Sequence, residues 1–188
     1  RTMMNTLKKM AVSAVAALAG VMMVAPTAMA ANGTIPIDAA HFPDTAFRVR
    51  IAQEFDSYPK DGKLTIAERN AVTEIRGGDS YEIKFAKGIG YFPTLENLYL
   101  YNQLLTSIDL SHNAKLQNLN LSRNKLTKID LSRNPELRDL DLSSNKLISI
   151  NVSKNTKLTE FDFQSNPLLW ISSIAPAVNV DIYSPFTD

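Results

Sequence analysis

Cysteine is absent from all 188 residues, and tryptophan occurs once and histidine twice. Without thiols there is no disulfide framework, no thiolate-bound metal and no lipidated N-terminal cysteine, so stability must come from apolar burial. Neither His41 nor His112 has a nucleophile or carboxylate fixed beside it by a motif. A glycine-rich phosphate cradle and metal-ligand spacing are missing as well. The expectation is a non-enzyme with no cofactor. Charge of one sign is also scarce. Twenty Lys and Arg face nineteen Asp and Glu, which offers nothing for nucleic acid or a membrane surface.

Long apolar runs are limited to one, near the start. Lys8 and Lys9 precede an uncharged Ala/Val/Met stretch from Met10 to Val24, and Ala28-Met29-Ala30 has the small-x-small form of a cleavage site. Such a run is too short to span a bilayer comfortably, so a signal peptide cut near Ala30 is expected, with export as its consequence. Losing Arg1, Lys8 and Lys9 reduces the 20 basic residues to 17 against 19 acidic ones, a net of −2 in place of +1. No second apolar span or wall-sorting tail precedes Asp188, so the mature protein is expected to be soluble and monomeric.

What the chain does have is one phrase written four times. Leu95, Leu116, Leu137 and Leu158 stand at a constant 21-residue step. Leu98, Leu119, Leu140 and Phe161 keep the same step, as do Leu100, Leu121, Leu142 and Phe163. An L-x-L alternation reads as a short strand with one buried face, and each unit must set its strand in parallel beside the last. Asn124, Asn145 and Asn166 stand three residues after the strand, where an amide can both donate to and accept from turning backbone. Gln103 holds that place in the first unit and predicts a looser fit. Ile108 and Leu110, Ile129 and Leu131, and Ile150 and Val152 mark a second short strand opposite, closed by Asn113, Asn134 and Asn155. One unit buries too little to order its own backbone, so the array must be continuous and capped.

A period in the twenties with L-x-x-L-x-L-x-x-N is the leucine-rich-repeat signature. LQNLNLSRNKLTKIDLSRN (116–134) and LRDLDLSSNKLISINVSKN (137–155) carry it most fully. From about residue 35 to 182 the chain resembles bacterial secreted leucine-rich-repeat proteins of the internalin type, in their 21-residue class. The resemblance implies an α/β horseshoe-type solenoid, largely β with short parallel strands on two sides of each coil and an α-helical N-terminal cap. It implies function only loosely. A strand position often held by Cys in that class is Leu or Phe here, which removes any thiol ladder.

Ahead of the repeats, HFPDTAFRVRIAQEF reads as an amphipathic helix with Phe47, Ile51 and Phe55 on one stripe. Thr65 to Glu68 reads as the capping box of a second helix. The loop between them has EF-hand character. With Glu68 as twelfth ligand, Asp61 and Gly62 fall fifth and sixth, but Ser57 and Pro59 take the first and third places and Asp56 comes one residue early. Asp56, Asp61 and Glu68 are thus poor candidates for a metal. A similar FPD…FD…DG…E cap precedes the repeats in the proteins that the chain resembles. From Val72 to Phe92 a degenerate first coil is expected, with Val72 and Ile75, then Ile83 and Phe85, supplying strands either side of the Gly77-Gly78-Asp79 turn.

Outward strand residues should stack into columns on the concave sheet face. These are Asn97, Asn118, Asp139 and Glu160; Tyr99, Asn120, Asp141 and Asp162; and Tyr101, Ser122, Ser143 and Gln164. Tyrosines mark one end and carboxylates the other, and solenoids commonly bind through this face. The bland alternative is that the carboxylates are merely solvated. Arg123, Lys125, Lys146, Lys154, Arg133 and Arg138 form a basic fringe, a solvated edge or a contact for an acidic glycan. Trp170 is expected in the core of a C-terminal cap, with Val178, Val180 and Ile182 in a last strand over Phe161 and Phe163. The chain thus divides into signal peptide (1–30), helical cap (31–74), solenoid (75–171) and C-terminal cap (172–188). Its expected work is recognition of a protein or glycan partner, at a cell surface or on a host, without chemistry. The alternatives are a spacer array or adhesin fragment with no ligand of its own, or a calcium-regulated module.

Overall fold

The structure, a computed structural model, describes residues 33–57, 59–78 and 82–167, with the backbone of 170–172 and 179–180. The expected signal peptide, the side chain of Trp170 and the positions of Val178 and Ile182 lie outside the described residues.

Each L-x-L phrase forms a three-residue strand: β4 (Asn97–Tyr99), β5 (Asn118–Asn120), β6 (Asp139–Asp141) and β8 (Glu160–Asp162). They pair in parallel, and Leu98, Leu119, Leu140 and Phe161 stand opposite one another along a single interior line. All four are buried, with Leu95, Leu100, Leu105 and their described counterparts in later coils, in one continuous core. The sheet gains a strand at each end. β3 (Glu74–Arg76) pairs with β4 through Ile75 opposite Leu98, and β10 (Asn179–Val180) pairs with β8 through Val180 opposite Phe161. The six-stranded sheet is thus a parallel solenoid face.

The amides behave as the repeat demands. Asn124 Oδ1 accepts from Leu105 N–H of the preceding coil at 3.0 Å, while Nδ2 donates to Leu100 O at 2.7 Å and Leu121 O at 3.0 Å. Asn145 and Asn166 repeat the pattern. Gln103 serves the first coil, which is longer: Glu74 faces Asn97 across a 23-residue step. Its extra methylene reaches Ile83 N–H at 3.1 Å and Gly78 O at 3.3 Å, looser contacts as expected.

The opposite side departs from expectation in its first two units. A strand pair forms between β7 (Ser149–Asn151) and β9 (Trp170–Ser172). Residues 108–110 and 129–131 have the same inward pattern, with Leu110 and Leu131 buried, but no strand ladder. The reason lies in Asn134, whose Nδ2 donates to Leu110 O and Asn113 O at 3.0 Å each. A side chain there does the tying that a ladder would otherwise do.

Two helices and a short antiparallel pair, β1 (Ile35–Pro36) with β2 (Lys63–Leu64), precede β3. Helix α1 (Thr45–Phe55) begins at Asp44, whose carboxylate accepts from Phe47 N–H at 2.9 Å. Helix α2 (Ile66–Ala71) begins with the Thr65–Glu68 capping box, both halves formed. Phe47 and Ile51 are buried, and Phe42 packs against Phe47, Tyr91 and Phe92, with ring centroids 5.7 to 6.4 Å apart. This apolar contact joins the helices to the first coil. Within that coil Ile75 lies in β3, but Ile83 and Phe85 form no strand, against expectation, and Ile83 is buried while Phe85 is 50% exposed. The N–H groups of Lys84 and Phe85 both donate to Asp44 Oδ2, at 2.8 and 3.2 Å. Pinned to the start of α1, this segment makes no strand and sends Phe85 outward.

Candidate binding face of the sheet

On the sheet face the outward residues align strand by strand as expected. Asn97, Asn118, Asp139 and Glu160 share one column, and Tyr99, Asn120, Asp141 and Asp162 the next. Their surroundings differ along the length. At the first end, Arg76 of β3 stands beside Tyr99, its guanidinium carbon 4.3 Å from the ring centroid, in cation–π range. Arg76 Nε also donates to Glu74 at 2.6 Å. Tyr101 follows, 43% exposed. Asn118 Nδ2 donates to Asn97 Oδ1 at 2.6 Å, so neighbouring strands are linked on their outer surface.

At the other end four carboxylates stand on adjacent strands. Burial first, then the charges of Glu160 and Asp141, push Asp139 above its ordinary carboxylate range. Like-charge crowding of this kind weakens ionisation and would be relieved by a cationic partner.

The second column has a duty that sequence reading did not assign. Asn120 Oδ1 accepts from Ser122 N–H and Oγ–H at 3.0 and 2.7 Å, and Asp141 Oδ1 from Ser143 N–H and Oγ–H at 2.9 and 2.6 Å. Asp162 takes Gln164 N–H at 2.9 Å. These residues end their strands by closing a turn two residues on, and only part of each side chain faces outward. Ser122, expected outward, is buried because its hydroxyl folds back onto Asn120. Glu74 and Arg76 are the additions that were missed. The signal was E-I-R itself, whose central Ile75 aligns with Leu98 only when a 23-residue step is allowed.

The three loop carboxylates are committed to local backbone. Asp56 Oδ2 accepts from Gly62 N–H at 3.0 Å, and Asp61 from Lys63 N–H at 3.0 Å. Glu68 receives Thr65 N–H at 2.7 Å, Ser57 N–H at 2.8 Å and the Ser57 hydroxyl. Burial raises the Glu68 pKa, but these hydrogen bonds outweigh it and bring the group down to about 2. Among the described residues no three acidic or histidine side chains are grouped to hold a metal ion. No described helix is long and apolar enough to cross a membrane.

A leucine-rich-repeat family model matches residues 101–118. The chain is similar to the functional domain of InlJ from Listeria monocytogenes, with 27% identity over 75% of this chain and 36% of that one, and a TM-score of 0.51. It is also similar in fold to an internalin, inlF, from Listeria monocytogenes, at 24% identity over 71% of this chain and 46% of that one, with a TM-score of 0.57. The chain therefore spans less than half the length of either structure. The InlJ domain is described as including a cysteine ladder, whereas this chain has no cysteine. No curated protein sequence matches. The fold is an internalin-like leucine-rich-repeat solenoid, of a kind typical of protein-binding modules.

Proposed function

We propose that this internalin-like solenoid is an exported, non-catalytic binding module that captures a protein partner through its sheet face. The observation that carries the reading is the unequal dressing of that face. Arg76, Tyr99 and Tyr101 form an aromatic and cationic corner, and Asp139, Asp141, Glu160 and Asp162 form a crowded anionic end. Tyr and Arg are the residue types most enriched in binding hot spots, and the crowded carboxylates favour a partner with basic groups at the corresponding distance. A glycan partner would stack on the tyrosines without needing the carboxylates. Export rests on the Lys8–Lys9, Met10–Val24 and Ala28–Ala30 pattern.

The test compares the immobilised chain, Tyr99→Ala/Tyr101→Ala and Asp139→Asn/Glu160→Gln in capture from surface extracts. A protein bound by the parent chain and lost with both double variants supports the reading. Loss with the tyrosine pair alone indicates a glycan, no capture by the parent chain indicates a spacer array, and capture unchanged by either pair rules out the sheet face as the contact surface.

A further inference from the structure

A groove of about 820 Å³ opens between the outer side of α1 and the first coil. Val49 and Phe85 stand in its walls, 45% and 50% exposed, with Leu104 beside them. Arg50, ion-paired with Glu54 at 3.0 Å, and Lys84 also line it, together with Asp44 and Glu82. Exposed apolar side chains facing one another across a concave space are the ordinary makings of a pocket for a partner's side chain.

Leu104 connects the groove to a second feature. Leu104 N–H donates to Ile83 O at 3.0 Å, and in the next coils Lys125 N–H donates to Leu105 O and Lys146 N–H to Leu126 O, each at 2.8 Å. Leu104, Lys125 and Lys146 therefore hold one place in successive coils, about 4.8 Å apart. The arcs containing them, 101–107, 122–128, 143–149 and 164–167, have no acidic residue, but they carry Arg123, Lys125, Lys128 and Lys146. Among the described residues none of these four makes an ion pair. All four are exposed. A cationic strip thus runs along the solenoid from the mouth of an apolar groove, on the arcs that follow the sheet strands.

We infer that the groove and strip form one docking track for an acidic peptide segment with an apolar anchor residue. The anchor fills the groove between Val49 and Phe85, and the segment's carboxylates lie along Lys125 and Lys146. Charge complementarity selects an anionic occupant, and the apolar walls select a peptide over a uniformly charged sugar chain. The contacts assigned to the track, Val49, Phe85, Lys125 and Lys146, are not column residues of the proposed sheet-face site, so either can fail without the other.

The test is fluorescence anisotropy of the purified chain with a labelled ten-residue peptide of alternating glutamate and leucine. Saturable binding is expected, weakened about tenfold or more by Phe85→Ser and by Lys125→Glu/Lys146→Glu, reduced by added salt, and unchanged by Tyr99→Ala/Tyr101→Ala. Val49→Ser gives a second groove variant, and circular dichroism shows that each variant is folded. Absence of saturable binding overturns the inference. So does equal binding of an all-glutamate peptide or of oligogalacturonate, indifference to the groove variants, or loss with the tyrosine pair.

Discussion

In the second and third coils an asparagine closes each of the two turns, yet the two asparagines work differently. On the sheet side, Asn124, Asn145 and Asn166 use both ends of the amide, accepting from the preceding coil and donating to that coil and to their own. On the far side, Asn113, Asn134 and Asn155 only donate. Their Nδ2 groups reach carbonyls at 2.8 to 3.0 Å, while their buried Oδ1 atoms receive no hydrogen bond from the protein. The turns differ in backbone too. Asn102, Arg123, Ser144 and Ser165 take positive φ of 54 to 58° beside the sheet-side ladder, and no other described non-glycine residue does so. The sheet side is held in both directions and accepts local strain for it. The far side is held in one, consistent with its missing strand pairs in two units. Rigidity is thus placed under the columns that we propose for binding.

The most direct way to break this comparison is to remove one amide from each ladder. Asn145→Ala strands the Leu126 N–H in the core and takes one of two donors from the Leu121 and Leu142 carbonyls, which keep Asn124 and Asn166 Nδ2, and should lower unfolding free energy by about 2–4 kcal/mol. Asn134→Ala strands no group, since Leu110 O and Asn113 O keep the Asn113 and Leu116 N–H groups at 3.0 and 3.1 Å, and it also removes an oxygen that had no donor, so it should lower it by only about 1–2 kcal/mol. Urea unfolding of the two variants measures the difference. Equal losses would mean that the far-side oxygens are satisfied after all and that the ladders are equivalent.

How much of this was legible beforehand depended on what repeats. The constant 21-residue step placed Leu98, Leu119, Leu140 and Phe161 in line because every coil must bury the same positions against its neighbour. Val180 over Phe161 followed from the same alternation, although the step there is 19. The first coil was less legible because its step is 23 and its Asp44 contact comes from a helix, 40 and 41 residues before the amides it holds. Nothing in the composition of Lys84-Phe85 announces that contact, so a strand was expected there. The contrast between the ladders was hidden for another reason. Both use asparagine, and which amide end finds a partner depends on backbone direction, which residue identity does not record.

The pH dependence sharpens the comparison, because amides do not titrate. Glu68 has a folded pKa of about 2, below its ordinary 4.5. It therefore contributes stability that is present above about pH 4.5 and is lost as the pH falls towards 2. Asp139 acts in the opposite sense. Its raised folded pKa makes ionisation a burden above its ordinary 3.8, and that burden lifts as acid protonates it. Thermal melts between pH 7 and pH 3 should show falling stability for the parent chain, a flatter profile for Glu68→Gln, and higher neutral-pH stability for Asp139→Asn. The gap between Asn145→Ala and Asn134→Ala should stay constant over the range where both remain folded. A gap that closes with acid would tie one ladder to a carboxylate and refute the assignment of the difference to amide geometry.

The smallest expected effect concerns the strain beside the sheet-side ladder. Ser144 has φ of 54°, in the left-handed region where a side chain's Cβ crowds the following carbonyl. Asparagine occupies that region more readily than serine, and Asn102 already does so at the same place in the first unit. Ser144 is exposed, its N–H donates to Gln164 O at 2.7 Å, and the substitution leaves that bond intact. Ser144→Asn should therefore stabilise the chain by up to about 0.5 kcal/mol. Far-side Ser132 is not among the positive-φ residues, and Ser132→Asn should give no gain. Paired melts of the two variants decide the point. If both gain equally, the benefit is a general surface effect and the strain is not confined to the sheet-side turn. If only Ser144→Asn gains, the turn that fixes the binding columns is also the one that carries the backbone strain.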